Sequence, residues 1–269
     1  MKIDTKLLTK VEAIAREAGT AILNIYARDF SVQDKADKSP LTEADLAAHT
    51  IISQRLSELT PPLPILSEED IDGFTGPDQA GRYWLVDPLD GTKEFIKRNG
   101  EFTVNIALIV EGCPVLGVVF APVLDTIYSA GQELGAFKQI GTNERKQICV
   151  AEHNSHTSWK VVGSRSHAGD SLNQVLQLLG KHEMLSMGSS LKFCMVAEGS
   201  ADVYPRLGPT SLWDTAAAQC IVEQAGGQVI ELTGKPLRYH DVAETLNPFF
   251  IAHGRCNINW TALFSKQTQ

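Results

Sequence analysis

The chain has 269 residues, of which 43% are hydrophobic and 21% are charged, and its formal net charge is −8 at pH 7. A chain of this length and composition buries a sizeable core, as one large domain or two packed lobes, and is not disordered over long stretches. The acidic balance disfavours a broad surface for nucleic acid, because DNA and RNA are polyanions, but a small phosphorylated ligand stays compatible if cations offset its charge.

The five cysteines are scattered along the chain and form no CxxC pair. This pattern argues against a disulfide framework or a zinc site and favours a reducing cytoplasm. No apolar signal core follows the N-terminus, and no stretch is long enough to span a bilayer. We therefore expect a cytoplasmic protein without an integral membrane segment, and weak peripheral contact with the cytoplasmic face of the inner membrane stays open.

The first half of the chain predicts two helices followed by strands. Apolar residues from Leu7 to Ile25 recur at helical spacing, which indicates an amphipathic helix over residues 4–29. Thr42 has the chemistry of an N-cap for a second helix, which the prolines from Pro61 to Pro64 end. Apolar runs predict strands at residues 65–66, 83–86, 103–111, 115–121, 126–130 and 134–138.

The second half of the chain alternates short apolar strands with helices, which indicates an α/β layer. We expect strands at residues 161–162, 201–204, 229–232 and 249–252, and helices near 170–180, 190–199, 213–225 and 258–266. A polar stretch at 140–155 predicts a boundary between an α+β lobe at 1–145 and an α/β lobe at 146–269. The fold class is therefore α/β, with helices and sheets packed in layers.

The segment Asp87–Thr92 reads Asp-Pro-Leu-Asp-Gly-Thr and follows a buried strand. Its glycine permits a sharp turn, which can aim both aspartates and the Leu89 carbonyl at one point. Magnesium prefers such hard oxygen ligands and shares them with water and phosphate. Asp, Pro and Gly also form ordinary surface turns, so the hexapeptide alone leaves a turn and a metal site equally open.

Three further carboxylates extend this acidic pattern, and each has a structural alternative. Glu68 follows a short strand and could face the same site, or it lies in a solvated acidic loop. Asp214 begins a predicted helix, where it could meet a metal or a ribose hydroxyl, or cap the helix. Asp45 lies three residues after Thr42, so it could complete a capping box or hold an attacking water with Thr92.

Together these segments resemble the inositol monophosphatase superfamily of magnesium-dependent, lithium-sensitive phosphomonoesterases. The shared pattern is Ser67-Glu68-Glu69, then the run Trp84–Thr92, then the run Trp213–Ala217 after a long gap. The resemblance spans nearly the whole chain. It implies an αβαβα sandwich of two closely packed lobes and a catalytic site that uses two or three Mg²⁺ ions.

Within that superfamily, the sequence is most similar to the bacterial 3'(2'),5'-bisphosphate nucleotidases. Lys93 and Glu94 stand where inositol phosphatases typically have Thr-Asn and fructose bisphosphatases have Ser-Ser. The segments 38–45, 164–167 and 188–193 also resemble the nucleotidase form. This similarity implies hydrolysis of the 3'-phosphate of adenosine 3',5'-bisphosphate, a by-product of sulfate activation, to AMP and phosphate.

The resemblance also implies a role for each matching residue. The metal ligands are Glu68, Asp87, the Leu89 carbonyl, Asp90 and Asp214. The residues that orient and activate the attacking water are Asp45 and Thr92, together with Glu68. The residues on the substrate side are Glu68, Leu89, Asp90, Gly91, Thr92, His167, Ser189, Lys192, Arg206 and Asp214. The alternatives are a loop histidine for His167 and solvated surface charges for Lys192 and Arg206.

Two other functions stay open from the sequence. The same chemistry could act on inositol 1-phosphate or on a sugar bisphosphate. A fold of this kind can also support a non-catalytic metal- or nucleotide-binding protein. The presence of both Asp45 and Thr92 argues against the non-catalytic alternative, because such a protein has no need of residues that handle water.

Overall fold

The computed structural model describes residues 2–34, 40–154, 156–163 and 170–265. The helices are α1 (Thr5–Tyr26), α2 (Glu43–Ser57), α3 (Thr92–Ile96), α4 (Asp170–Leu179), α5 (Leu191–Ala197), α6 (Ala216–Gln224) and α7 (Trp260–Ser265). The strands of the first half are β1 (Val32–Asp34), β2 (Pro40–Thr42), β3 (Ile65–Ser67), β4 (Arg82–Asp90), β5 (Thr103–Val110), β6 (Cys113–Ala121), β7 (Thr126–Gly131), β8 (Gly135–Ile140) and β9 (Lys146–Ile148). The later strands are β10 (Trp159–Gly163), β11 (His182–Ser186), β12 (Val203–Arg206), β13 (Gln228–Glu231) and β14 (Phe250–His253).

The strands form two large sheets and one small hairpin. The first sheet contains seven strands in sequence order from β3 to β9, with β3 parallel to β4 and the later neighbours antiparallel. The second sheet contains five strands in the order β11-β10-β12-β14-β13 and mixes parallel with antiparallel pairs. The hairpin pairs β1 with β2.

Side-chain alternation on the strands divides the core into distinct layers. On β4, Trp84 and Val86 pack with α1 and α2, whereas Tyr83 and Leu85 face α5 and α6 on the other side of the sheet. The second sheet closes the layer of α5 and α6, and its far face packs on α4 and α7. The resulting order of helix, sheet, helix, sheet and helix layers confirms the predicted αβαβα sandwich.

The predicted elements agree with the structure apart from their ends and a few short pieces. The helix predicted over 213–225 was wrong at its start: Leu212–Asp214 form a 3₁₀ turn, and α6 begins only at Ala216. The prediction missed β9, β11, α3 and the hairpin, all short elements with weak periodicity. The first sheet runs through Ile148, and the lobe division at residue 145 stays a prediction.

The N-cap predicted at Thr42 is present, because its side chain accepts the N–H group of Ala44 at the start of α2. Among the described residues, no helix combines the length and the apolar character needed to cross a bilayer.

Candidate active site

A bulge in β4 turns two aspartates to the same side of the first sheet. Asp87 pairs with Asn105 of β5 and Asp90 pairs with Thr103, so β4 advances three residues while β5 advances two. In a regular strand, residues three apart point to opposite faces, and one extra residue removes this difference. The bulge therefore brings together two carboxylates that an unbroken alternation would separate.

Asp214 reaches these carboxylates from the second half of the chain. Its Oδ2 accepts the N–H group of Ser211 at 2.8 Å within the 3₁₀ turn. Gly117 of β6 lets α6 approach the sheet closely, since a Cβ there would lie 2.2 Å from the carbonyl oxygen of Ala217. One carboxylate oxygen from each of Asp87, Asp90 and Asp214 lies within 4.8 Å of the other two.

Glu68 and Leu89 lie beside the three aspartates. Glu68 directly follows β3, which runs parallel to β4, and its N–H group donates to the Val86 carbonyl oxygen at 3.2 Å. The carbonyl oxygen of Leu89 lies 3.3 Å from the hydroxyl of Thr92. These positions agree with the ligand set expected from the sequence, and the ligand roles themselves stay a prediction.

Asp87, Asp90 and Asp214 form an acidic cluster, and keeping all three carboxylates ionised without a cation costs free energy. Burial raises the pKa of Asp87 well above its usual range, and the charges of Glu68 and Asp90 raise that pKa further. Asp214 opens to a cleft on one side and is enclosed by protein elsewhere, so burial, followed by the charge of Asp90, raises its pKa to about 8. A divalent cation would favour the ionised carboxylates, and the donor set of hard oxygens suits Mg²⁺.

Asp45 contacts the N-cap of α2 through one carboxylate oxygen and Thr92 through the other, and its role in holding an attacking water stays a prediction. Its Oδ2 accepts the backbone N–H group of Thr42 at 2.9 Å, which completes a capping box at the start of α2. Its Oδ1 lies 3.2 Å from the Thr92 hydroxyl, at the edge of the acidic cluster. The Asp45 side chain is 2% exposed, so this contact is shielded from bulk water.

A cleft of about 300 Å³ opens beside the acidic cluster and is lined by both halves of the chain. Six of the predicted substrate residues line it: Asp90, Gly91, Ser189, Lys192, Arg206 and Asp214. Ser189 adopts the left-handed conformation with a φ of 44°, which is uncommon for a residue with a side chain. His167 lies outside the described residues, so its predicted contact with substrate stays a prediction.

Lys192 and Arg206 are not solvated surface charges. Lys192 is 8% exposed, and its Nζ donates to the Ser189 carbonyl oxygen at 2.7 Å. Burial lowers the pKa of Lys192, and the charge of Asp90 acts in the opposite direction. Arg206 donates through Nη2 to the Pro209 carbonyl oxygen, while its buried Nε has no hydrogen-bond partner among the described residues.

Sequence reasoning missed two groups of residues at this site. Ser190 and Asn105 contact Asp90 and are both buried. The available signal for Asn105 was a pair of polar residues two apart, Thr103 and Asn105, at the start of a strand that is otherwise apolar. The second group lines the cleft without an assigned role: Lys93, Lys97, Asn99, Glu101, Tyr204 and Thr210.

Comparison with known proteins agrees with this geometry. The model of the inositol monophosphatase family matches residues 4–261. The 3'(2'),5'-bisphosphate nucleotidase CysQ of Escherichia coli O157:H7 is 53% identical over 246 residues, covering 91% of this chain and 98% of that protein. The protein of the same name from Haemophilus influenzae is 33% identical and covers 98% of both chains.

A solved structure gives the same result. The crystal structure of CysQ from Bacteroides thetaiotaomicron, described as a bacterial member of the inositol monophosphatase family, superimposes with a TM-score of 0.78 at 39% identity. The match covers 93% of this chain and 97% of that one. Because the family model matches nearly the whole length of this chain, the chain belongs to the inositol monophosphatase family.

Proposed function

We propose that this chain is a magnesium-dependent phosphomonoesterase that hydrolyses the 3'-phosphate of adenosine 3',5'-bisphosphate to give AMP and phosphate. The observation that carries the proposal is the meeting of Asp87, Asp90 and Asp214 within 4.8 Å at the head of a cleft that also holds Lys192 and Arg206. The relatives that are 3'(2'),5'-bisphosphate nucleotidases supply the choice of substrate. Sensitivity to lithium, a place in sulfur metabolism and a cytoplasmic setting are parts of the same proposal.

Two or three Mg²⁺ ions would be held by Glu68, Asp87, the Leu89 carbonyl oxygen, Asp90 and Asp214. Burial and mutual repulsion already raise the pKa values of Asp87 and Asp214, which is the state expected of carboxylates built to share a cation. When bound, Mg²⁺ supplies positive charge to the phosphoryl oxygens and lowers the pKa of a coordinated water.

Asp45 and Thr92 position the attacking water in this proposal. The Thr92 hydroxyl is shared between the Asp45 carboxylate and the Leu89 carbonyl oxygen, at 3.2 Å and 3.3 Å. A hydroxyl has one proton and two lone pairs, so Thr92 can donate to Asp45 and accept from a water. The bond between the water oxygen and phosphorus would form as the ester bond to the 3'-oxygen breaks. The proton of the attacking water would pass through the Thr92 hydroxyl to Asp45, and the leaving 3'-oxygen would take a proton from solvent water.

Lys192 and Arg206 supply a site for the second phosphate of the substrate. Both side chains line the cleft on the side of the second lobe, and both are at least half-buried. The Nε of Arg206 has no hydrogen-bond partner within the described part of the chain, and the Nζ of Lys192 donates to the Ser189 carbonyl oxygen. Both cations therefore have N–H donors to offer to an anion. A phosphate suits these cationic donors better than an uncharged hydroxyl of inositol, because its negative charge attracts both cations in addition to accepting their hydrogen bonds.

Phosphate release from a panel of substrates tests the proposed function. We expect kcat/KM to be highest for adenosine 3',5'-bisphosphate, lower for its 2' isomer and lowest for inositol 1-phosphate, and release to depend on added Mg²⁺. A preference for inositol 1-phosphate would instead assign the same chemistry to another substrate. If none of these substrates releases phosphate in the presence of Mg²⁺, a non-catalytic binding protein is favoured.

Substitution of Lys192 by methionine tests the phosphate site separately. We expect KM for adenosine 3',5'-bisphosphate to rise by about tenfold or more, since a hydrogen bond to a charged group contributes about 1.5–3 kcal/mol. The KM for 3'-AMP, which lacks the second phosphate, should change much less. The control is Lys97→Met at the outer part of the same cleft, which keeps the buried cation. An equal rise in KM for both nucleotides in Lys192→Met would contradict this assignment.

A further inference from the structure

Ser190 and Asn105 surround one oxygen of Asp90. Ser190 is 2% exposed and Asn105 is 1% exposed. The backbone N–H group of Ser190 donates to Oδ2 of Asp90 at 2.5 Å, and the Ser190 hydroxyl lies 2.8 Å from the same oxygen. The side-chain amide of Asn105 lies 3.4 Å from that oxygen and 2.8 Å from the Ser190 hydroxyl. The hydrogen bonds that Asp90 accepts through its side chain from described residues all end on Oδ2.

The same serine contacts the third aspartate of the cluster. Its hydroxyl lies 2.8 Å from the backbone carbonyl oxygen of Asp214. A hydroxyl has one proton, so Ser190 donates to Asp90 or to Asp214 while it accepts from the amide of Asn105. The Thr103 hydroxyl donates to Oδ1 of Asn105 at 3.0 Å, which orients that amide with its NH₂ group towards Ser190. Hydrogen bonds through the buried Ser190 hydroxyl thus link Asn105 of β5 to both Asp90 and Asp214.

We propose that Ser190 and Asn105 are positioning residues for cation binding. They occupy Oδ2 of Asp90, which leaves Oδ1 for the cation, and Ser190 keeps the Asp90 carboxylate beside the turn that carries Asp214. The inference rests on the proposed metal-dependent function. Buried donors that immobilise a ligand before the cation binds reduce the ordering cost of binding, so their removal weakens affinity for the metal.

Titration of Mg²⁺ into the metal-free protein, followed by calorimetry, tests this role without any turnover. We expect Ser190→Ala and Asn105→Ala each to raise the Kd for Mg²⁺ by about 10- to 100-fold, the range typical of groups that orient metal ligands. The double variant should lose less than the product of the two single losses, because both residues act on the same carboxylate. At saturating Mg²⁺, kcat should change less than this Kd.

Ser129→Ala is a matched control. Ser129 is also 2% exposed, and its hydroxyl lies 2.5 Å from the carboxylate of Glu12, on β7 and away from the cleft. Ser129→Ala and Ser190→Ala each lose a buried hydrogen bond between a hydroxyl and a carboxylate. Each variant should therefore have a lower melting temperature than the wild-type protein when no metal is present. Only Ser190→Ala should also weaken Mg²⁺ binding, and this difference separates a positioning role from a purely structural one.

The outcomes separate this inference from the proposed function. If the wild-type chain binds Mg²⁺ and the Ser190→Ala and Asn105→Ala variants bind it equally well, the positioning role is wrong and the proposed function stands. If Ser190→Ala fails to fold, Asn105→Ala still decides the question. If the wild-type chain itself binds no Mg²⁺, the proposed function and the inference fail together.

Discussion

Substitution of Asp87 by asparagine is expected to lower kcat/KM for phosphate release by at least about 10³-fold, while it raises the melting temperature of the metal-free protein. Loss of a metal ligand removes several kcal/mol of charge stabilisation from the transition state. Asp87 is 1% exposed, and its pKa is raised by burial and by its acidic neighbours, so the folded chain bears a cost for this carboxylate when no cation is present. Asparagine removes that cost, and a gain of about 2–10 °C follows if 1–3 kcal/mol is recovered.

Steady-state kinetics and thermal unfolding, each with and without Mg²⁺, check this result. Asp125→Asn is the control, because the Asp125 side chain is 61% exposed and pairs with Arg16 on the surface. That variant should keep its activity and its thermal response to Mg²⁺. Near-normal turnover of Asp87→Asn at saturating Mg²⁺ would contradict the metal assignment, whereas a variant that is both inactive and unfolded would point to a structural role instead.

The metal-free protein is expected to lose stability as the pH rises from about 4 to 8, and Mg²⁺ is expected to restore it increasingly over the same range. The pKa of Asp214 is raised from 3.8 to about 8 in the folded chain, so the folded state binds more protons than the unfolded state in this window. Stability therefore falls with pH between these two values, by an amount on the order of a few kcal/mol, and levels off above pH 8. A cation prefers the ionised carboxylates, so its stabilising effect grows as the proton leaves.

Comparison with Asp214→Asn isolates this contribution from other titrating groups. Burial lowers the pKa values of His49 and His253, so these histidines make the folded state more stable as the pH rises. Their contribution is the same in the wild type and in Asp214→Asn, so it cancels in the comparison. The difference in the free energy of unfolding between wild type and variant, measured in denaturant with a chelator at pH 5 and pH 8, should favour the variant more at pH 8. Equal differences at the two pH values would contradict the raised pKa of Asp214.

The long elements could be predicted because their hydrophobic patterns are strong. The apolar positions from Leu7 to Ile25 repeat at helical spacing over the whole helix, and α1 occupies Thr5–Tyr26. Apolar runs between turn residues predict the consecutive antiparallel strands of the first sheet. By contrast, β11 has mostly exposed side chains and pairs through its backbone with β10, so its sequence contains little periodicity to detect.

The candidate site could be predicted as a set of residues but not as an arrangement. Local sequence left Asp45 with two alternatives, and the structure shows a capping contact and a contact with Thr92 on its two oxygens. Lys192 and Arg206 read locally as surface charges, and only the packing of α5 and β12 shows that they line a cleft. Ser190 has no signal of its own, because a serine hydroxyl becomes informative only when its partners are known.

The amino-acid sequence by itself determined the family, the order of the longer helices and strands, and the identity of the acidic residues, since these depend on local pattern and on motif spacing. Only the tertiary structure decided that Asp87 and Asp90 share one face, because that depends on a bulge in the pairing of β4 with β5. It also decided that Asp214 joins them across more than a hundred residues, through the close approach of α6 to β6 at Gly117. The physical reason is that electrostatic repulsion, burial and hydrogen bonding act through space, whereas sequence patterns report only on neighbours along the chain.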